Sequence, residues 1–225
     1  MISIIVPVYN EKDNILKFQE NLKQLEGDFE VIFSDGFSTD DTYDKIVFNK
    51  IRETKYRGNQ MNAAVKYAKG GILWFLHADT VIDKNSIRAI ENANAEVGCF
   101  KLKFDTKNLY LQFLAYCSNL RVKYRNIAFG DQGIFITRKL FVELGGYKEI
   151  PIMEDYELSI MIKKRGIKIK QLNLPIMTST RRFTENGILK TNIMMQKLQA
   201  RYRKMRRKSE FDMNLIYEIY EGGKK

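Results

Sequence analysis

An α/β domain, with a mostly parallel sheet covered by helices on both faces, is the fold class this sequence predicts. Three observations carry that expectation. Short continuous apolar runs stand at residues 3–8, 29–33 and 72–76, each ending in a polar loop. Segments with helical spacing separate them. The connections are short, and parallel neighbours need a crossover to bring the chain back to the same edge.

The first run, Ser3-Ile-Ile-Val-Pro-Val8, is β-branched and uninterrupted, the pattern of a strand buried on both faces. Ile15, Leu16, Phe18, Leu22 and Leu25 then recur at helical spacing until Gly27, with Asn10 or Asp13 available as the cap. Residues 29–33 form the second strand, closed by the turn-rich Ser34-Asp-Gly-Phe-Ser-Thr-Asp-Asp-Thr42, and a short third strand is expected at 46–52. Met61, Ala64, Val65 and Ala68 mark a helix over 59–69 that stops at Gly70-Gly71. Ile72-Leu-Trp-Phe-Leu76 is the clearest strand and runs into His77-Ala-Asp79. Beyond it, strands are expected at 97–104, 133–137 and 167–172, and helices at 109–124, 138–144 and from Glu154 onward. No repeat or low-complexity linker divides the chain before about residue 180.

With 225 residues, 44% of them hydrophobic, a sizeable core is available and global disorder is excluded. Cys99 and Cys117 have neither ligand spacing nor a disulfide-rich setting, so they read as small apolar residues in a reducing compartment. The N-terminus has no basic leader, and its apolar run is too short for a signal or a membrane span; the expectation is a mature, unexported, cytoplasmic start. The formal charge of +11 is uneven, because about ten Lys and Arg lie between Arg181 and Lys208 against the single Glu185. That concentration describes a nearly neutral body carrying a basic tail.

Ligands of a parallel sheet bind at the carboxyl ends of its strands. Asn10-Glu11, Asp35 and His77-Ala-Asp79 all stand at such ends, so polar groups distant in sequence should meet in one crevice.

Four segments then fall in the order and spacing of a known family. Ile4-Ile-Val-Pro-Val-Tyr-Asn-Glu11, Ser34-Asp-Gly-Phe-Ser-Thr-Asp40, Phe75-Leu-His-Ala-Asp-Thr80 and Glu154-Asp155 resemble the family 2 glycosyltransferases, which have the GT-A fold and invert the anomeric carbon. Arg57-Gly-Asn-Gln-Met-Asn62 and Thr180-Arg-Arg-Phe183 add a likeness to a small bacterial subgroup with the Phe-Leu-His-Ala-Asp motif. The resemblance implies a catalytic domain over 1–185, nucleotide-binding to about residue 100 and acceptor-binding from 101, followed by a basic helical extension over 186–225.

It also implies roles. Pro7, Val8, Tyr9 and Glu11 would wall the base and ribose, Asp35 would hold the nucleobase, and Arg57, Gln60 and Asn62 would reach base or phosphates. Asp79 would bind a divalent cation, Mn²⁺ or Mg²⁺, which acts as a Lewis acid on the departing diphosphate. His77 replaces the first acid of the usual motif, and imidazole suits Mn²⁺ better than Mg²⁺; a lone histidine at a strand end is more often a hydrogen-bonding group than a ligand. Asp155 would be the single base that inversion requires, with Glu154 beside it contacting the acceptor or donor sugar or raising the base's pKa. Asp131 and Gln132 would face donor sugar or acceptor, and Arg181 and Arg182 the diphosphate. Each has a plainer reading: Asp79 and the 38–42 cluster as helix caps, Glu154-Asp155 as acids favoured in a first helical turn, the arginines as solvated charges.

The implied partners are a UDP- or GDP-linked sugar and an acceptor hydroxyl, on a lipid if the basic tail lies on anionic membrane at its inner face rather than packing on the body. Two other functions compete. A nucleic-acid-binding protein would use the tail and aromatics, but these sit in apolar runs such as Trp74-Phe-Leu and suit a core. A nucleotidyltransferase would usually carry a Gly-rich phosphate loop with Lys near the N-terminus, and Pro7-Val-Tyr-Asn-Glu11 has neither.

Overall fold

The computed structural model describes residues 1–208 together with Ile216, Tyr217 and Tyr220. One eight-stranded sheet organises them. β1 (Ile2–Val8) lies parallel to β2 (Phe29–Asp35) on one side and to β4 (Ile72–Phe75) on the other, and β3 (Asn49–Arg52) continues the parallel order outside β2. Past β4 the sheet becomes mixed: β7 (Phe135–Thr137) is antiparallel to β4 and to β6 (Val97–Phe104). β8 (Lys170–Thr178) then runs parallel to β6, and β5 (Thr80–Val81) closes the edge antiparallel to it.

Burial explains the runs. Every residue of β1 is buried because helices cover both faces. On one face Ile4, Val6, Phe33 and Trp74 pack against Ile15, Phe18 and Leu22 of α1 (Ile15–Lys23). On the other, Ile5, Ile32, Leu73 and Phe75 meet Met61, Ala64 and Val65 of α3 (Arg57–Val65), Leu140 of α6 (Arg138–Glu143), and Leu158 and Ile162 of α7 (Glu154–Lys164). β6 instead alternates at its end, Lys101 and Lys103 outward, Leu102 and Phe104 inward, since one face is open there.

Pro7 sits inside a central strand without breaking it. Leu76 N–H bonds to Ile5 O and Gly36 N–H to Val8 O, so alternate residues of β1 address alternate neighbours, and Pro7 addresses β4. β4 has already ended, so no ladder bond is lost.

Several boundaries differ from the sequence expectation. Neither Asn10 nor Asp13 caps α1: the cap position is Asn14, whose side-chain amide donates to Glu11 instead, while Asn10 braces Thr39. The expected strand at 46–52 begins only at Asn49, because α2 (Thr42–Lys45) occupies the chain before it. α3 starts two residues early and stops at Val65. β8 reaches Thr178 rather than 172. A register shift opposite Phe100 and Lys101 lets Pro175 into the strand, as bulges do.

α4 (Ser86–Glu91) lies over the first face, and α5 (Leu109–Arg125) starts under the Asn108 side chain, which accepts the Tyr110 and Leu111 N–H groups. α8 (Arg181–Asn186) leads to α9 (Ile188–Lys208), the described part of the basic extension. Part of the sparse apolar stripe of α9 is buried: Leu198 and Tyr202 pack against Ile152, Met153 and Ile216. Glu157, 1% exposed, accepts Arg206 Nε at 2.6 Å and the Tyr202 hydroxyl at 3.0 Å and pairs with Lys148 at 2.8 Å. The rest of the extension expected over 186–225 lies outside the described residues.

Candidate active site

The exits of β1 and β2 form a shelf. Gln60, 3% exposed in the first turn of α3, donates to Val8 O at 2.8 Å and Ser34 O at 2.6 Å, tying the two strand ends together. Gly36 lies beneath the Tyr9 ring, where a Cβ would stand 3.3 Å from Tyr9 Cδ2 and 3.2 Å from Gln60 Nε2. Tyr9 itself is 44% exposed, an open aromatic surface beside buried Pro7 and Val8. Asp35 is fully buried. Its carboxylate accepts the Ser38 N–H at 3.0 Å and the Ser38 hydroxyl, and Arg52 Nε lies 3.8 Å away.

The turn after β4 supplies His77 and Asp79. Thr80 closes it by bonding His77 O from both N–H and hydroxyl, and Ser179 N–H bonds Asp79 O, so the turn is held between the exits of β4 and β8. Burial pushes the Asp79 carboxyl up, opposed by Arg57 and Arg181. Burial likewise raises Glu11, against a 2.6 Å bond from Asn14 and the Arg181 guanidinium at 3.6 Å. A cavity of about 430 Å³ opens beside Asp79 toward Asn14, Lys17 and Asn21 of α1.

The start of α7 forms the opposite wall. Met153 takes a left-handed conformation, φ 73°, that turns the chain into the helix at Glu154. Asp155 Oδ2 accepts the Gly130 N–H at 2.8 Å and Oδ1 the Tyr156 N–H at 2.6 Å. Burial raises Asp155, while those bonds, Arg57 and Arg121 pull it down. Glu154, 3% exposed, is raised first by burial and then by Asp155, with Arg57 opposing. A Cβ on Gly130 would lie 2.7 Å from His77 Nε2, so the imidazole rests on that glycine. Burial and then Arg57 push His77 down to about 3, which keeps it neutral. Beside Gly130, burial pushes Asp131 up to about 6, and its Oδ1 is buried without a hydrogen-bond partner.

Arg57 is the hub. Partly exposed, it is desolvated by the protein packed around it, yet Tyr220, Glu154, Asp155 and Asp79 outweigh that and hold its proton more firmly. Its charge also acts on Glu11, His77 and Asp131. The structure therefore gathers Glu11, Arg57, His77, Asp79, Asp131, Glu154, Asp155 and Arg181 into one electrostatic neighbourhood. Other named residues are engaged elsewhere. Asn62 exchanges two bonds with the Tyr147 backbone, and fully buried Gln132 meets Arg121, the Phe129 N–H and Asn119. Arg182 stacks 4.0 Å over the Tyr220 ring and donates to Tyr220 O at 3.3 Å.

Sequence reasoning missed Gly130, Arg121 and Tyr220. Gly130 left a faint signal, a glycine directly before Asp131; nothing local marks the other two.

As a cation site, the donors are few: among the described residues no three His, Cys, Asp or Glu side chains are grouped to hold a metal. One carboxylate and one neutral imidazole fit a cation whose other ligands come from phosphate and water, the way Mg²⁺ and similar ions are held in phosphoryl sites.

Over 204 residues the chain is 29% identical to the Escherichia coli UDP-Glc:alpha-D-GlcNAc-diphosphoundecaprenol beta-1,3-glucosyltransferase WfaP, covering 77% of this chain and 74% of that protein. An uncharacterized glycosyltransferase of Bacillus subtilis, YfnE, is 32% identical over 112 residues, 43% of this chain and 29% of its own. Among solved structures, S. aureus TarS in complex with UDP-GlcNAc superposes with a TM-score of 0.59 at 18% identity, over 79% of this chain and 58% of that one. A Pyrobaculum calidifontis mannosyltransferase in complex with GDP-Man and Mn²⁺ gives 0.59 at 21%, over 79% and 56%. The chain thus spans less than two thirds of those structures, and at such identities they establish the fold, GT-A, as expected. The model of Glycosyl transferase family 2 matches residues 3–191, most of the chain, and to that family the protein belongs.

Proposed function

We propose that the protein transfers a sugar from a UDP- or GDP-linked donor to an acceptor hydroxyl, with inversion and with a divalent cation at Asp79. The observation that carries this reading is the Arg57 hub: one guanidinium, at the start of α3, acts electrostatically on Asp79 on the β4 side and on the Glu154 and Asp155 pair on the α7 side.

In this reading the base lies on the Tyr9 and Gly36 shelf against Pro7 and Val8. Asp35 serves it by holding the Ser38 turn or by exchanging that bond for one to the base. Gln60 and Asn62 support the wall through the backbone bonds they make. The diphosphate lies between Arg57 and Arg181, with Arg182 next to it, and Glu11 positions Arg181. A cation shared by Asp79, His77 and the diphosphate would supply Lewis-acid stabilisation of the leaving group. As the new C–O bond forms and the anomeric C–O bond to phosphate breaks, Asp155 takes the hydroxyl proton. Its two backbone bonds fix the carboxylate and leave further lone pairs free. Glu154 and the unpartnered Asp131 Oδ1 suit sugar or acceptor hydroxyls; Gln132 acts through the loop that holds Asp131.

For the acceptor we favour a lipid-linked sugar, by analogy with the diphosphoundecaprenol in the name of WfaP. That would place the enzyme peripherally on the inner face of a membrane. Among the described residues no helix is long and apolar enough to cross one. The test is a thermal-shift screen of nucleotide sugars with and without Mn²⁺. A specific donor should raise the melting temperature by mass action, more with the ion, and a panel of UDP and GDP sugars that shifts nothing would end the proposal.

A further inference from the structure

α5 carries an apolar face that nothing described covers. At 100° per residue, Leu109, Phe113, Tyr116, Leu120 and Tyr124 fall within an arc of about 80°. Leu111, Ala115 and Val122, on the opposite side, are the residues buried in the body. A surface helix ordinarily turns charged residues outward. Here Leu109 is 85% exposed, Phe113 and Tyr116 58%, and Tyr124 72%. The stripe is roughly 22 Å long. Its N-terminal end broadens onto α9, where Leu189 and Ile193 are exposed and Asn192 bonds the Tyr110 hydroxyl at 2.7 Å.

At the other end the stripe runs into a groove of about 680 Å³ between α5, α7 and the outer part of the sheet. Tyr124 belongs to both. Lys101, Lys123, Arg125, Lys163 and Lys168 line the groove, and no acid does. An apolar aromatic stripe ending in a cavity of one sign suits a surface with acyl chains and phosphate side by side.

We propose that the outer face of α5 and the basic groove at its C-terminal end form a docking surface for an anionic phospholipid bilayer. The stripe lies in the headgroup and acyl boundary, with Phe113 and Leu109 inserted and the tyrosines at the polar level. The groove receives lipid phosphates. Charge complementarity selects this occupant over a second copy of the chain, whose own groove would face the first with like charge. The surface meets α9 only at its N-terminal end, at Leu189 and Ile193, ahead of the helix's basic run, and it stands whether or not sugar transfer occurs.

Sedimentation of the full chain with vesicles decides it. Phosphatidylglycerol and phosphatidylcholine mixtures should carry the protein down, pure phosphatidylcholine should not, and added salt should weaken the binding. The double variant L109S/F113S, altered only at exposed positions, should lower the partition coefficient at least tenfold, and K123E/R125E likewise. If the double variant fails to fold by circular dichroism, Phe113→Ser alone should give several-fold. Absence of binding to anionic vesicles, or binding indifferent to both variants, overturns the proposal. So does a wild-type dimer that L109S/F113S disperses without any vesicle binding. The donor-induced thermal shift is read separately, so failure here and failure of the transferase reading are distinguishable.

Discussion

The backbone N–H of Gly130 donates to Asp155 Oδ2 over 2.8 Å, while the His77 imidazole occupies the space where a side chain on the same glycine would begin. One residue without a side chain thus links the turn that follows β4 to the acid that opens α7. An added Cβ would stand 2.7 Å from His77 Nε2 and 3.6 Å from Asp155 Oδ2. Gly130→Ala should therefore lower kcat by about 10²-fold through misplacement of the carboxylate, with donor affinity changed far less. Steady-state kinetics beside a donor binding isotherm would separate the two; an unaltered kcat would mean the loop yields without moving Asp155.

Asp155→Asn keeps the shape and one of the two backbone bonds, because its NH₂ cannot accept an N–H, and it cannot take a proton. Turnover should fall by about 10² to 10⁴-fold while donor binding stays near that of the parent. Full activity in a single-turnover assay would remove Asp155 from the chemistry.

The pH profile should carry the mark of burial. Asp155 must be ionised to act as base, and burial holds its pKa above the ordinary aspartate value of 3.8. Activity is then lost as pH falls through that raised value, so the acid limb of kcat should lie above 3.8. Glu154 is raised by burial and then by Asp155, so it takes its proton before Asp155 does, and Glu154→Gln should leave this limb nearly in place.

Asp79→Ala should abolish the effect of Mn²⁺ on nucleoside diphosphate binding while leaving metal-free binding within a few-fold, because Arg57 and Arg181 remain. Titration calorimetry with and without the ion reads this directly. An isotherm indifferent to both ion and substitution would take Asp79 out of the cation site.

Glu157 fastens α9 to α7. Burial alone would raise its pKa, but the bonds from Lys148 and Arg206 outweigh that and hold it below its ordinary value of 4.5. A depressed folded pKa means stability present above 4.5 and lost as pH falls through the folded value. Glu157→Ala should cost about 2 kcal/mol near neutrality, since the freed cations are partly exposed and can be hydrated. It should also open α9 to limited proteolysis. Equal melting temperatures for parent and variant at pH 7 would contradict the clamp.

Some of this could be read directly from residue order. The buried runs of β1, β2 and β4 announce themselves because a strand covered on both faces has no polar position to interrupt it. Asp79 and Glu11 are found the same way, as polar residues at the exits of such strands. The strand expected at 167–172 runs on to Thr178, because the bulge opposite Phe100 and Lys101 makes room for Pro175, and a pairing irregularity between strands leaves no local mark. The caps of α1 were misassigned because Asn10 bonds Thr39, a partner that is absent from its local sequence.

By itself the sequence determined the parallel half of the sheet, the family, and which acids stand at strand ends, since periodicity and strand-end position are local properties. The tertiary structure alone decided that Arg57 acts on both Asp79 and Asp155, that Gly130 holds Asp155, and that Glu157 binds a helix some fifty residues away. Those are contacts between elements, and electrostatic coupling depends on distance through space, which residue order does not encode.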